Sequence, residues 1–84
     1  MDNTAHELIT IDVTAAAPKG LGRLSYATHP RVGEWVEIEL DEKAFMFEVV
    51  MVAHSSSGGL SDLYVRKVGP TSEAVHSLCG AVTV

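Results

Sequence analysis

The chain predicts an all-β fold, a small five-stranded barrel of the SH3-like or Sm-like type with one short C-terminal helix. Three observations lead there. Several segments alternate apolar and polar residues with the period of two that a strand imposes. Gly, Pro, Ser and Asp cluster between those segments and mark turns. The longest strand changes its apolar phase half-way along, as a strand does when it bends around a barrel. With 84 residues the chain accommodates one domain, residues 1–84, with a thin core.

Residues 8–13 (Leu-Ile-Thr-Ile-Asp-Val) are β-branched and alternating, and read as the first strand. Ile9, Ile11 and Val13 are its expected core face, with Leu8, Thr10 and Asp12 outward. Residues 14–22 contain Pro18, Gly20 and Gly22 and read as a loop, followed by a short strand at Arg23–Ala27. His29-Pro30-Arg31-Val32-Gly33 is a turn leading to Trp35–Leu40, where Val36, Ile38 and Leu40 point inward and Trp35, Glu37 and Glu39 outward. Asp41-Glu42-Lys43 closes a β-hairpin with the strand Ala44–His54.

In that return strand Phe45, Phe47 and Val49 share one face, whereas Val50 and Val52 are in phase beyond them. A bulge or sharp bend at Val49-Val50 accounts for the switch. So does a strand covered on both faces, the second cover coming from another subunit. Ser55–Gly59 is a hairpin tip of linker-like composition, and Leu63–Val68 is the next strand, closed by Gly69-Pro70. Thr71–Cys79 is expected to be helical. Thr71 or Ser72 is the N-cap, Glu73 sits in the first turn, Ala74, Val75 and Leu78 form an apolar stripe, and Gly80 is the stop. Ala81–Val84 returns to β composition and is a candidate closing strand.

Charge and cysteine content narrow the function classes. Eleven acidic residues against six basic give a net charge of −5, and Arg66-Lys67 is the only adjacent basic pair. Proteins that hold nucleic acid by its phosphates cluster their basic residues, so nucleic acid is not the expected partner. No apolar run is long enough to span a membrane, and Met1–Glu7 lacks the basic and then apolar order of a secretory signal, so a cytoplasmic location is expected. The single Cys79 offers neither an intrachain disulfide nor a multi-cysteine zinc site. Its neighbour His76 lacks an orienting third group for nucleophilic chemistry.

Residues 29–36 (His-Pro-Arg-Val-Gly-Glu-Trp-Val), 47–54 (Phe-Glu-Val-Val-Met-Val-Ala-His) and 63–69 (Leu-Tyr-Val-Arg-Lys-Val-Gly) together resemble small uncharacterised bacterial single-barrel proteins, some of which travel as gene cassettes in integrons. The resemblance spans about half the chain, residues 29–69. It implies a small β-barrel of bacterial origin and brings no activity or catalytic residue with it.

Enzyme motifs are absent. There is no Gly-x-Ser-x-Gly or His-Glu-x-x-His sequence, and Gly20-Leu21-Gly22 lacks the strand–loop–helix context of a phosphate loop. His6, His29, His54 and His76 show no ligand spacing on one element, so no metal and no cofactor is expected. The outward acids Glu37 and Glu39 read as a solvated face. Two candidate sets remain. His54, Tyr64 and Arg66 are candidate ligand contacts, because His54 ends a buried strand beside a loop and Tyr64 and Arg66 share a strand face. Trp35, Met46, Val50 and Met51 are candidate oligomer contacts, because they are apolar groups in need of cover. For Trp35 the alternative cover is the 14–22 loop or the late helix. The expected function is a non-enzymatic binding or assembly module acting as a homo-oligomer. The alternative is a small-molecule-binding protein or small enzyme with its pocket at a subunit interface.

Overall fold

A computed structural model describes the backbone of residues 6–82 and the side chains of residues 6–78. Five strands, β1 (His6–Asp12), β2 (Lys19–Tyr26), β3 (Trp35–Leu40), β4 (Lys43–Ala53) and β5 (Asp62–Pro70), precede one helix, α1 (Thr71–Val82). The strands form one sheet in the order β2-β1-β5-β4-β3. All neighbours are antiparallel except β1 and β5, which run parallel. The sheet curls into a half barrel, as an all-β chain with two long apolar hairpins and a thin core requires. Its edge strands β2 and β3 border a common groove of about 240 Å³, lined by Leu24, Ser25, Tyr26, Glu37, Ile38 and Glu39, and this groove is the seam. Among the described residues no helix is long and apolar enough to cross a membrane.

The core lies inside the curl. Leu8, Ile38, Phe47, Val49, Leu63 and Val65 are buried, with Leu21, Leu24, Val36, Leu40, Phe45 and Val52 packed against them. Each fully buried large apolar side chain contributes about 1.5–3 kcal/mol. Strands β3 and β5 present the faces that alternation predicts.

Strand β1 does not. Leu8 and Thr10 are buried, and Ile9 and Ile11 lie half-buried on the outward side. Both sets are β-competent, and pairing decides between them. Leu8 lies opposite Leu24 and Thr10 opposite Leu63, both inward-facing. The Thr10 hydroxyl, fully buried, shares a hydrogen bond of 2.8 Å with the Tyr26 hydroxyl, so its burial leaves no unsatisfied polar group.

Strand β2 begins at Lys19, four residues before the expected Arg23. The glycines that read as loop punctuation sit inside the strand, because the ladder skips Leu21 between Gly22 and Gly20. Gly22, at φ +95°, takes a backbone conformation that a side chain disfavours, and so hosts the irregularity while Leu21 packs on the core.

The bend expected at Val49-Val50 is a bulge. Val49 pairs with Val65 and Met51 with Tyr64, leaving Val50 as the extra residue. A second shift leaves Val68 unpaired on β5. Bulges increase twist and bend the strand, and both lie on the β4–β5 ladder at the centre of the curl.

Helix α1 runs through Gly80 to Val82, which corrects both the Gly80 stop and the helical part of the proposed 81–84 strand. A glycine inside a helix costs about 1 kcal/mol, and the adjacent Ala81 is the best helix former. Residues 83–84, and the side chain of Cys79, lie outside the described residues. Of the expected stripe only Ala74 is buried; Val75 and Leu78 are exposed, and α1 meets the sheet chiefly along β4 and β5.

Candidate functional site

Residues directly opposite one another in a sheet share a face, so the register assembles the outward surface row by row. Ile11 lies beside Tyr64, and Tyr64 beside Met51, a continuous row over β1, β5 and β4. The next row joins Trp35, Glu48 and Arg66, and a third joins Glu37 with Met46. Tyr64, Arg66, Met51, Met46 and Trp35 therefore stand on one surface, where two of the candidate ligand contacts meet three of the candidate oligomer contacts. Met51 keeps 48 % of its surface exposed and Trp35 36 %; Tyr64 and Met46 are half-buried. Trp35 borders a groove of about 180 Å³ with Tyr26, Thr28 and Pro30, which brings the β2–β3 connection beside it. Val50, the bulged residue, is half-buried and has no ladder partner in that surface.

Along the ladder His54 stands apart from Arg66. It follows the Ala53–Asp62 pair and accepts or donates a 2.7 Å hydrogen bond between its Nδ1 and the Ser61 hydroxyl. Arg66 is five residues further along β5, about 16 Å at the rise of a strand. The company His54 keeps is different. Its ring stacks on His29 with centroids 5.7 Å apart, and His29 meets His6 edge-on at 6.1 Å. Strand β1, the β2–β3 connection and the end of β4 bring these three histidines to one end of the barrel; His76 is exposed on α1. Nothing local in the sequence signals this meeting, because the residues are separated by more than twenty positions each and depend on the β1–β5 crossover. Among the described residues no group of three or more His, Cys, Asp or Glu side chains is placed to hold a metal ion.

A groove of about 570 Å³ lies elsewhere, between the β3–β4 turn and the start of α1. Lys43, Ala44, Phe45, Pro70 and Thr71 line it. Lys67 Nζ sits 4.5 Å above the Phe45 ring, a cation–π contact beside this groove. The Thr71 hydroxyl oxygen is buried without a hydrogen-bond partner. The acids of the β3 region do not pair into an acid–base site: Glu34 accepts a hydrogen bond from the Arg31 amide in its own turn, while Glu37 and Glu39 face water.

Burial raises the Tyr26 hydroxyl above its ordinary pKa of 10.0, and the hydrogen bond with Thr10 opposes that rise.

No protein-family model matches the chain, and no significant match is found to a curated protein or a solved structure.

Proposed function

We propose that the chain is a non-enzymatic binding and assembly module that works as a homo-oligomer, its copies meeting across the outward face of the sheet. The observation that supports this most is the row Ile11–Tyr64–Met51, carried by three adjacent strands and flanked by Trp35 and Met46. Aromatic and methionine side chains with an arginine at their edge are the composition that interfaces favour. Covering them gains about 25 cal/mol per Å² of apolar surface. Arg66 beside Glu48 places both signs of charge on that face, which suits a two-fold contact in which each copy's acid meets the other's base. The SH3-like or Sm-like reading of the curl, the kinship with bacterial cassette proteins and a cytoplasmic location belong to the same proposal. They rest on the bent β3–β4 hairpin and on the resemblance of residues 29–69.

Light scattering on the eluting peak of a sizing column tests it. The expected mass at tens of micromolar is a multiple of 9.0 kDa, reduced to one chain by Met51→Glu, a change at an exposed position that leaves the core intact. A wild-type chain that elutes as a monomer overturns the proposal.

A second reading is favoured by Tyr64 and Arg66 sharing that face: a small molecule held at the subunit junction, with the phenol and guanidinium as its polar contacts. It predicts a thermal shift with some member of a metabolite library that Tyr64→Ala abolishes. A library without any such member counts against it.

A further inference from the structure

We infer that the seam between β2 and β3 is a docking groove for an extended segment of a partner protein, one with basic residues at alternate positions and apolar residues between them. This goes beyond self-association, which uses Met51 and Tyr64 on the outward face. Strands β2 and β3 are the two edges of the sheet. Both line the groove of about 240 Å³, and the groove of about 180 Å³ continues it past Trp35, sharing Tyr26 and Glu37.

The hydrogen bonds fix which backbone groups face this seam. The N–H and C=O of one residue point to the same side of a strand, and those of its neighbours to the other. On β3 the Glu34 carbonyl accepts from the Val49 amide, and Leu40 closes the two-residue turn with Lys43, so Val36, Ile38 and Leu40 bond to β4. Trp35, Glu37 and Glu39 therefore turn their backbone to the seam. On β1 the Ile9 amide donates to the Ser61 carbonyl on the β5 side, so Leu8 bonds to β2, where Leu24 lies opposite. Arg23 and Ser25, on either side of Leu24, turn their backbone to the seam. Rows of donors and acceptors on both banks are what strand addition uses.

The side chains say what fits. In a strand added antiparallel to β3, the residue opposite Ile38 points inward, into the groove beside the half-buried Leu24 and Tyr26. An apolar side chain covers them. Its two neighbours stand opposite Glu37 and Glu39, which are exposed and take no part in the one ion pair among the described residues, Arg23 with Glu7. Lysine or arginine there pairs opposite charges across the strands. The carboxylates that repel the same edge of a second copy thus attract a basic strand. These 84 residues do not supply one, because no two of their six basic residues stand two positions apart. The occupant is a segment of another protein, and the net charge of −5 steers a basic one inward.

Fluorescence polarisation with labelled Ser-X-Lys-X-Arg-X-Ser peptides, X being valine, leucine or phenylalanine, tests this at physiological salt. Saturable one-to-one binding is expected, with exchange of the Glu37 and Glu39 amides slowed at least tenfold in the complex. Affinity is expected to fall at least tenfold when the peptide is N-methylated at its Lys and Arg, whose amides face β3, and in the double variant Glu37→Lys, Glu39→Lys. The N-methylated comparison uses the native chain, so it decides the matter even if the double variant misfolds. Met51→Glu is expected to bind the peptide as the native chain does, which separates this site from self-association. No saturable binding by any of the peptides, equal affinity for the N-methylated form, or slow exchange at Glu37 and Glu39 without peptide that is lost on dilution, the mark of a second copy in the seam, overturns the inference.

Discussion

Thr10 and Tyr26 show how a polar pair sixteen residues apart settles which face of β1 is inside. Alternation alone favoured Ile9 and Ile11, because a threonine looks like the outward choice. What reverses it is a phenol on the neighbouring strand that satisfies the Thr10 hydroxyl, a contact invisible until β1 and β2 are placed in register. The two ends of this hydrogen bond are not equivalent. Thr10 is fully buried, whereas the half-buried Tyr26 has access to water. Tyr26→Phe therefore strands a buried hydroxyl and is expected to lower stability by about 1–3 kcal/mol, whereas Thr10→Val costs less and the double variant resembles Thr10→Val alone. Urea unfolding of the four chains measures the cycle; equal losses from both single changes contradict it. The same tyrosine gives a pH dependence. Its folded pKa is raised, so the unfolded chain ionises first. The stabilisation is complete below pH 10 and is lost as pH climbs from there through the folded value. Stability is thus expected to fall above pH 10 in the native chain, and less steeply in Tyr26→Phe.

Among the elements, the β4 bulge was legible because it leaves a mark in the apolar pattern: Val49 and Val52 both point inward although three positions apart, which only an extra residue permits. The β2 irregularity left no such mark. Two glycines read as a loop until a pairing strand supplies a reason to extend them, and the helix overran its glycine because one unfavourable residue does not outweigh its neighbours. The β3–β4 hairpin is a further case in which local sequence and geometry disagree. Leu40 pairs with Lys43, so Asp41 and Glu42 form a two-residue turn, and both have positive φ, 52° and 68°. That is the conformation for which Asn-Gly is preferred, and a left-handed residue with a Cβ costs about 1–2 kcal/mol relative to glycine. Glu42→Gly is expected to raise stability by about 1 kcal/mol, seen as a higher urea midpoint with an unchanged slope. A lower midpoint shows that the turn does not carry this strain.

For the molecule as a whole, the sheet offers two routes to self-association with different consequences for its backbone. Strands β1, β5 and β4 have a neighbour on both sides, whereas β2 and β3 each leave one edge unpaired at the seam. Exposed edges recruit strands, and a second copy could add there as readily as it could cover the outward face. The side chains favour the face: Met51, Trp35 and Tyr64 gain most from cover, while the β3 edge is lined with Glu37 and Glu39, whose charges repel the same edge of another copy. Amide exchange separates the two. Face-to-face association leaves the β2 and β3 edge amides exchanging faster than those of β5, and dilution to the monomer does not change their rates, because the contact is made by side chains. Edge association protects them in the oligomer and releases them on dilution. We expect the first pattern, with Met51→Glu removing the oligomer while β2 and β3 exchange as before. Protection of Leu24–Tyr26 or Glu37–Glu39 that disappears on dilution would move the interface from the face of the sheet to its seam.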